Sequence, residues 1–345
     1  MRTLERTMKL ATAISVTILG FSLAIPTASA PAQELTTLRM TIPVTSLTFY
    51  PVFVAQDKGF FKKHGLEFEI VVTQGDGPDV DALLAGSVEF TATPPHRLFS
   101  AYEQGRKLLG IVNLMNKVGI NCFMSKKSAE KAGITESTPL PEKIKKLKGL
   151  TIGATRAGAF TFQLATDYVK RGGYTPQEDV KIVGAGGGPS MLAAVEQGRI
   201  DMGCISSPAP ELAVSRGQSI MWVNNTKGED PEFSEFLMEV LYVRPDYAQK
   251  NPETVRKVAA ALVEALQFIA KAPDSEHLPI LKKNFGGVSD EVLLESLTNT
   301  RKAVDPTGRI SKKSVDAHVS FLKSAGLLKG DIPWEAVVSN EYLPK

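Results

Sequence analysis

Cysteine is nearly absent: Cys122 and Cys204 are the only two in 345 residues. That excludes a disulfide-dense scaffold and any multi-cysteine metal site. Histidine is scarce too, and His64, His96, His277 and His318 are scattered without ligand spacing. Neither cysteine has a base beside it in sequence, so the residues offer no local nucleophile pair and no metal set. No metal, no cofactor and no catalytic residue is therefore expected. Charge of one sign is also missing. The net charge is +3, which makes no electrostatic case for nucleic acid or an anionic membrane. The isolated basic run "EKIKKLKG" at Glu142–Gly149 reads as a solvated helix face.

Long apolar runs are lacking as well, with one exception at the start. Arg2, Arg6 and Lys9 precede an apolar stretch from Leu10 to Ile25, followed by the small residues of "PTASAPAQ". A bilayer crossing needs about 20 apolar residues, and this stretch is shorter. The layout is that of a secretory signal peptide over residues 1–32, with the cut after Ala32 because proline follows Ala30. The expected location is periplasmic, and removing the leader's net +2 leaves a mature chain near +1. No cysteine lies in the cleavage region, so no lipid anchor is expected. Both cysteines sit in apolar runs, "GINCFM" and "DMGCIS". They read as buried free thiols, with an intramolecular disulfide as the alternative in an oxidising compartment.

What is present is a repeating α/β order. With 43% apolar residues the chain can bury a large core and form two domains. "LRMTIPV" is strand-like, an apolar helix follows over Val52–Lys58, and Leu66, Phe68, Ile70 and Val72 alternate with Glu67 and Glu69 in the next strand. Strand, helix and strand with short links make a parallel crossover unit. "DVDALLAGSVEFTATPP", "HRLFSAYEQG" and "KLLGIVNLM" continue the pattern, giving an open parallel sheet wound with helices.

Residues 126–148 turn polar and charged, then "LTIGATRAGAFTFQLATDYVKRGG" and "VKIVGAGGGPSMLAAVEQGRIDMGCISSPAPELAVSRG" repeat the plan. "NPETVRKVAAALVEALQFIAKAP" is a helix with Asn251 as its cap and Pro252 in the first position. The reading is two doubly wound α/β lobes, one of residues 36–119 with 241–345 and one of residues 120–240. "GAGGGPS" lacks the GK[ST] ending of a phosphate loop and reads as a strand-to-helix connection bordering the cleft.

In this order the segments "YPVFVAQDKGFFKKHGLEFEIV", "DALLAGSVEFTATPP", "LKGLTIGATRAGAFT", "MLAAVEQGRIDMGCISSPAP" and "NPETVRKVAAALVEAL" resemble the type II periplasmic solute-binding proteins of ABC transporters. More narrowly, the chain resembles the nitrate, sulfonate, taurine and thiamine-precursor group, the SsuA/THI5-like family. The resemblance implies two α/β lobes joined by a two-strand hinge, with a solute clamped between them, and it leaves the solute open. Family members that are enzymes of thiamine synthesis carry a cysteine-rich motif, and no such cluster is present here.

In open α/β sheets ligands bind beyond the carboxyl ends of the strands. That rule nominates Thr45, Ser46, Leu47, Thr48, Phe49 and Tyr50 in the first strand-end loop, then Thr93, Pro94 and His96, and Asn116. From the second lobe it nominates Arg156, Gly158, Ala159, Phe160 and Thr161, with Ser206 and Ser207. The hydroxyls can donate, one of Phe49 and Tyr50 can cover a planar solute while the other packs, and His96 can bond an acidic solute. Gly158 permits close approach, and the helix starting near Phe160 directs free N–H groups at the cleft, so an anion fits there. Arg156 can pair with a carboxylate or sulfonate. One of Ser206 and Ser207 faces the solute or caps the following helix.

The expected function is a monomeric periplasmic binding protein, not an enzyme. It would capture a small organic anion, a sulfonate or aromatic carboxylate, and deliver it to the transmembrane permease of an ABC importer, with no nucleic-acid partner. The alternatives are an enzyme or binding protein for a pyrimidine or thiamine precursor on the same fold, and a sensor that presents its solute to a receptor.

Overall fold

The computed structural model describes residues 35–345 as one compact unit. The leader expected over residues 1–32 lies outside them. Ten strands form two five-stranded sheets. The first holds β1 (Thr36–Ile42), β2 (Leu66–Val72), β3 (Phe90–Thr93), β4 (Leu109–Met115) and β10 (Glu239–Val243), in the order β2-β1-β3-β10-β4. The second holds β5 (Ile120–Ser125), β6 (Thr151–Ala154), β7 (Lys181–Gly184), β8 (Met202–Ser206) and β9 (Ser219–Val223), in the order β7-β6-β8-β5-β9.

The alternation in β2 is realised: Leu66 and Phe68 are buried while Glu67 and Glu69 face out, and the strand runs parallel to β1 over its full length. The sheets are not purely parallel, which corrects the sequence reading. β10 runs antiparallel to β3 and β4, and β5 runs antiparallel to β8 and β9. Both exceptions follow a passage between the sheets, from β4 to β5 and from β9 back to β10. A strand that enters a sheet from the neighbouring lobe arrives at the ligand-facing end, so it runs against the strands already there. The two passages make the hinge.

One face of the first sheet has its own packed core, while a second cluster runs continuously from Met115, Val240 and Tyr242 of the first sheet to Ile152, Met202 and Trp222 of the second. Met40, Ile42, Phe90 and Leu241 of the first pack with the helix Pro252–Lys271, whose Val255, Val258, Leu262, Leu266 and Ile269 form one buried stripe. Pro252 opens that helix as expected, but the Asn251 side chain does not cap it; its Nδ2 donates instead to Tyr247 O at 3.1 Å. In the second sheet, Trp222 packs edge-on against Tyr168 at 5.1 Å between ring centroids, both fully buried.

Cys122 and Cys204 are directly opposed on β5 and β8 and joined by a disulfide, with no free thiol. This overturns the free-thiol reading. Cross-strand register places the two sulfurs together, which spacing in sequence could not disclose. Among the described residues no helix is long and apolar enough to cross a membrane.

Candidate functional site

The carboxyl ends of β1, β2 and β3 face those of β6 and β8 across the gap between the lobes, where the sheet rule puts a ligand. At these strand ends hydrogen bonds join the two lobes. Leu47 N donates to Ser207 O at 2.9 Å. Phe160 N donates to Asp76 Oδ2 at 3.0 Å, and Arg97 Nη2 donates to Gly158 O at 2.9 Å.

Two cavities meet there, sharing Val44, Ile205 and Ser206 in their walls. The inner pit is about 30 Å³ and is walled by Thr48, Phe49, Asp76, Phe160, Thr161 and Glu239 among others. It has room for about one water. The outer cleft is about 370 Å³ and is lined by Thr45, Ser46, Phe285 and Val288 from the first lobe and by Pro189, Leu192, Ala209 and Leu212 from the second. That volume suits a small organic molecule.

The nominated residues divide clearly. Thr45 and Ser46 line the outer cleft; Thr48, Phe49, Pro94, Phe160 and Thr161 line the pit; Ser206 lines both. Ser46 and Thr48 share a hydrogen bond at 2.8 Å. The remaining nominees line neither cavity. Tyr50 is fully buried and turns away, its hydroxyl 2.9 Å from His277 Nδ1. Leu47 packs into the first core. Asn116 sits on the passage between the sheets, its N–H donating to Ala303 O at 2.8 Å.

Ala159 is the residue before the helix Phe160–Arg171, Gly158 supplies the positive φ of 76° at that turn, and Gly158 O is taken by Arg97. Arg156 lays its methylenes over Gly75, where a Cβ would collide with them; Gly75 also has φ 129°. Ser207 donates to Glu211 Oε1 at 2.7 Å and caps no helix with its side chain. Thr93 is buried behind the pit, and His96 Nε2 stands 2.9 Å from Asp76 Oδ2.

Two carboxyl groups that the nomination missed dominate the pit. Asp76 is held by two flanking glycines in the loop after β2. Burial would raise its pKa, but the His96 charge and hydrogen bond, Arg97 and the Phe160 N–H outweigh burial and hold the carboxyl below the usual range. Glu239 opens β10 and is 2% exposed, and its Oε2 has no hydrogen-bond partner. Burial first, and the Asp76 charge second, push this carboxyl well above the usual range. Asp79, fully buried close behind, is likewise raised by burial. The signal for Glu239 was an acid inside the apolar run "FLMEVLYV".

A family profile described as "NMT1/THI5 like" matches residues 46–276. The chain belongs to the NMT1/THI5-like family. Among its relatives is the putative binding protein YtlA of Bacillus subtilis, 21% identical over 91% of this chain and 90% of that protein. The nitrate/nitrite binding protein NrtA of a Nostoc strain is 25% identical over 74% of this chain, which spans 58% of NrtA's length. The solved alkanesulfonate-binding protein SsuA of Xanthomonas axonopodis superposes with a TM-score of 0.68 at 16% identity, over 90% of this chain and 99% of SsuA. The fold is that of the type II periplasmic binding proteins.

Proposed function

We propose that this chain is the periplasmic solute-binding component of an ABC import system, binding a small organic solute between its lobes and presenting the closed form to the permease. The observation that carries this reading is the cleft itself, an apolar cavity ending in a polar pit, with walls from both lobes. A solute that touches both walls only when the lobes are closed shifts the population toward closure. Bound in this way, a monomer needs no second subunit to complete its site. Relatives named as binding proteins support the reading, and the histidine nearest the pit, His96, is engaged by Asp76.

The expected sulfonate or aromatic carboxylate draws support from the hydroxyls at the mouth and from relatives named for nitrate and alkanesulfonate. The pit weighs the other way, because Asp76 and Glu239 line it while Arg156 lines neither cavity. The experiment is a thermal-shift and small-angle scattering series with sulfonates, aromatic carboxylates, pyrimidines and amines. A solute that raises the melting temperature and leaves the radius of gyration at the closed value of the structure supports capture. Stabilisation without any dependence on cleft residues such as Leu212 or Phe285 counts against it.

A further inference from the structure

The place that an anionic solute would take is already filled from within. The first free N–H of the helix Phe160–Arg171 donates to Asp76 Oδ2 at 3.0 Å, and His96 Nε2 lies 2.9 Å from the same oxygen. Both side chains are buried, at 2% and 6% exposure. The Thr161 hydroxyl is committed to Thr155, accepting from Thr155 N at 2.9 Å and sharing a hydrogen bond with Thr155 Oγ1 at 2.8 Å, which leaves the Thr161 backbone N–H as the one further donor at that helix start. Arg97 spends Nη2 on Asp76 O at 3.1 Å and Gly158 O at 2.9 Å, so it braces the loop rather than facing the pit. The first N–H of the helix and the imidazole therefore serve an internal carboxylate.

The buried side-chain oxygen that the pit leaves unpaired belongs to a third group, Glu239. Glu239 Oε2 is buried, lines the pit and has no partner. A buried oxygen left unpaired costs free energy that a solute donor can recover. A second anion here would meet Asp76 across a short, poorly screened gap, whereas a cation or an N–H donor would be attracted to it.

We propose that Asp76 and Glu239 set the specificity of this cleft: Asp76 occupies the anion position and turns anionic solutes away, and Glu239 accepts from a solute whose head is a protonated or N–H-bearing nitrogen. The solute's apolar body lies in the outer cleft against Leu192, Leu212 and Phe285. Burial disfavours the ionised form of Glu239, and a cationic head would stabilise that form. The inference rests on solute capture in this cleft.

The test uses probes with one apolar body and two kinds of head: benzylamine and benzamidine against benzoate and benzenesulfonate, by thermal shift and calorimetry on the mature chain. The amine or amidine is expected to stabilise the wild type and the anions to leave it unchanged. Glu239→Gln should weaken the nitrogen probe at least tenfold, and Asp76→Ala, which vacates the helix start, should gain anion binding by a similar factor. Because the wild-type panel needs no variant, a misfolded variant cannot rescue or sink the idea. Benzoate or benzenesulfonate stabilising the wild type, with both nitrogen probes inert, overturns this specificity while leaving solute capture standing. Unchanged nitrogen-probe affinity in a folded Glu239→Gln variant also overturns it.

Discussion

Removing the Cys122–Cys204 cross-link should weaken the second lobe far more than the first. The bond joins β5 to β8 across 82 residues of sequence, enclosing β6, β7 and the helices between them. Closing a loop of that length in the unfolded chain contributes about 4.5 kcal/mol in the chain-entropy model, and residual structure in the unfolded state reduces the figure. With a urea m-value of about 2 kcal/mol/M for a lobe of this size, the midpoint should fall by roughly 2 M.

The chain has two tryptophans. Trp222 is buried in β9, whereas Trp334 sits on a short helix that packs on β4 of the first sheet. A Trp334→Phe background therefore gives a fluorescence reporter for the second lobe. The comparison is Cys122→Ala with Cys204→Ala against the oxidised parent, in urea, reading Trp222. A midpoint that moves by less than about 0.5 M would show that the cross-link constrains nothing the register does not already hold, and the reasoning would fail.

Two further substitutions test buried polar groups. Tyr50→Phe removes a buried hydroxyl bonded to His277 at 2.9 Å, which should cost about 1–3 kcal/mol and leave solute affinity unchanged; a loss of affinity in calorimetry would put Tyr50 back at the solute. His318 is fully buried, and burial pulls its pKa from 6.5 to about 3 despite the hydrogen bond to Leu237 O. Between those values the unfolded chain holds a proton that the native His318 refuses, so this residue's contribution to stability is lost as pH falls. Wild type minus His318→Phe should therefore lose about 1.4 kcal/mol per pH unit across that window in urea melts, and equal slopes would contradict the assignment.

Much of the fold was legible because it rests on local pattern. Leu66 and Phe68 alternate with glutamates in β2, and Pro252 with the apolar stripe behind it announces the long helix. The antiparallel direction of β5 and β10 was not legible, since it depends on the chain passing between lobes rather than on any residue within those strands. The disulfide was hidden for the same reason, because only the β5 and β8 register sets Cys122 against Cys204.

At the site, the strand-end rule reached Thr48, Phe49, Phe160, Thr161 and Ser206. The same rule reaches the loop Gln74–Gly77 as a strand end but does not single out Asp76 within it. It could not choose between Phe49 and Tyr50, whose partner His277 lies 227 residues further along the chain. Phe285 and Val288, on the outer wall, come from the C-terminal helical region, where no strand end points.

The most direct test of solute capture is to recover the small molecule that copurifies with the mature chain, identify it by mass spectrometry, and measure amide hydrogen exchange with and without it. Capture between the lobes predicts protection at residues 43–49 and 75–77 on one side together with residues 156–161 and 206–209 on the other, since opening is what exposes both. Protection confined to one lobe, or absent from both, would contradict a solute held in the cleft.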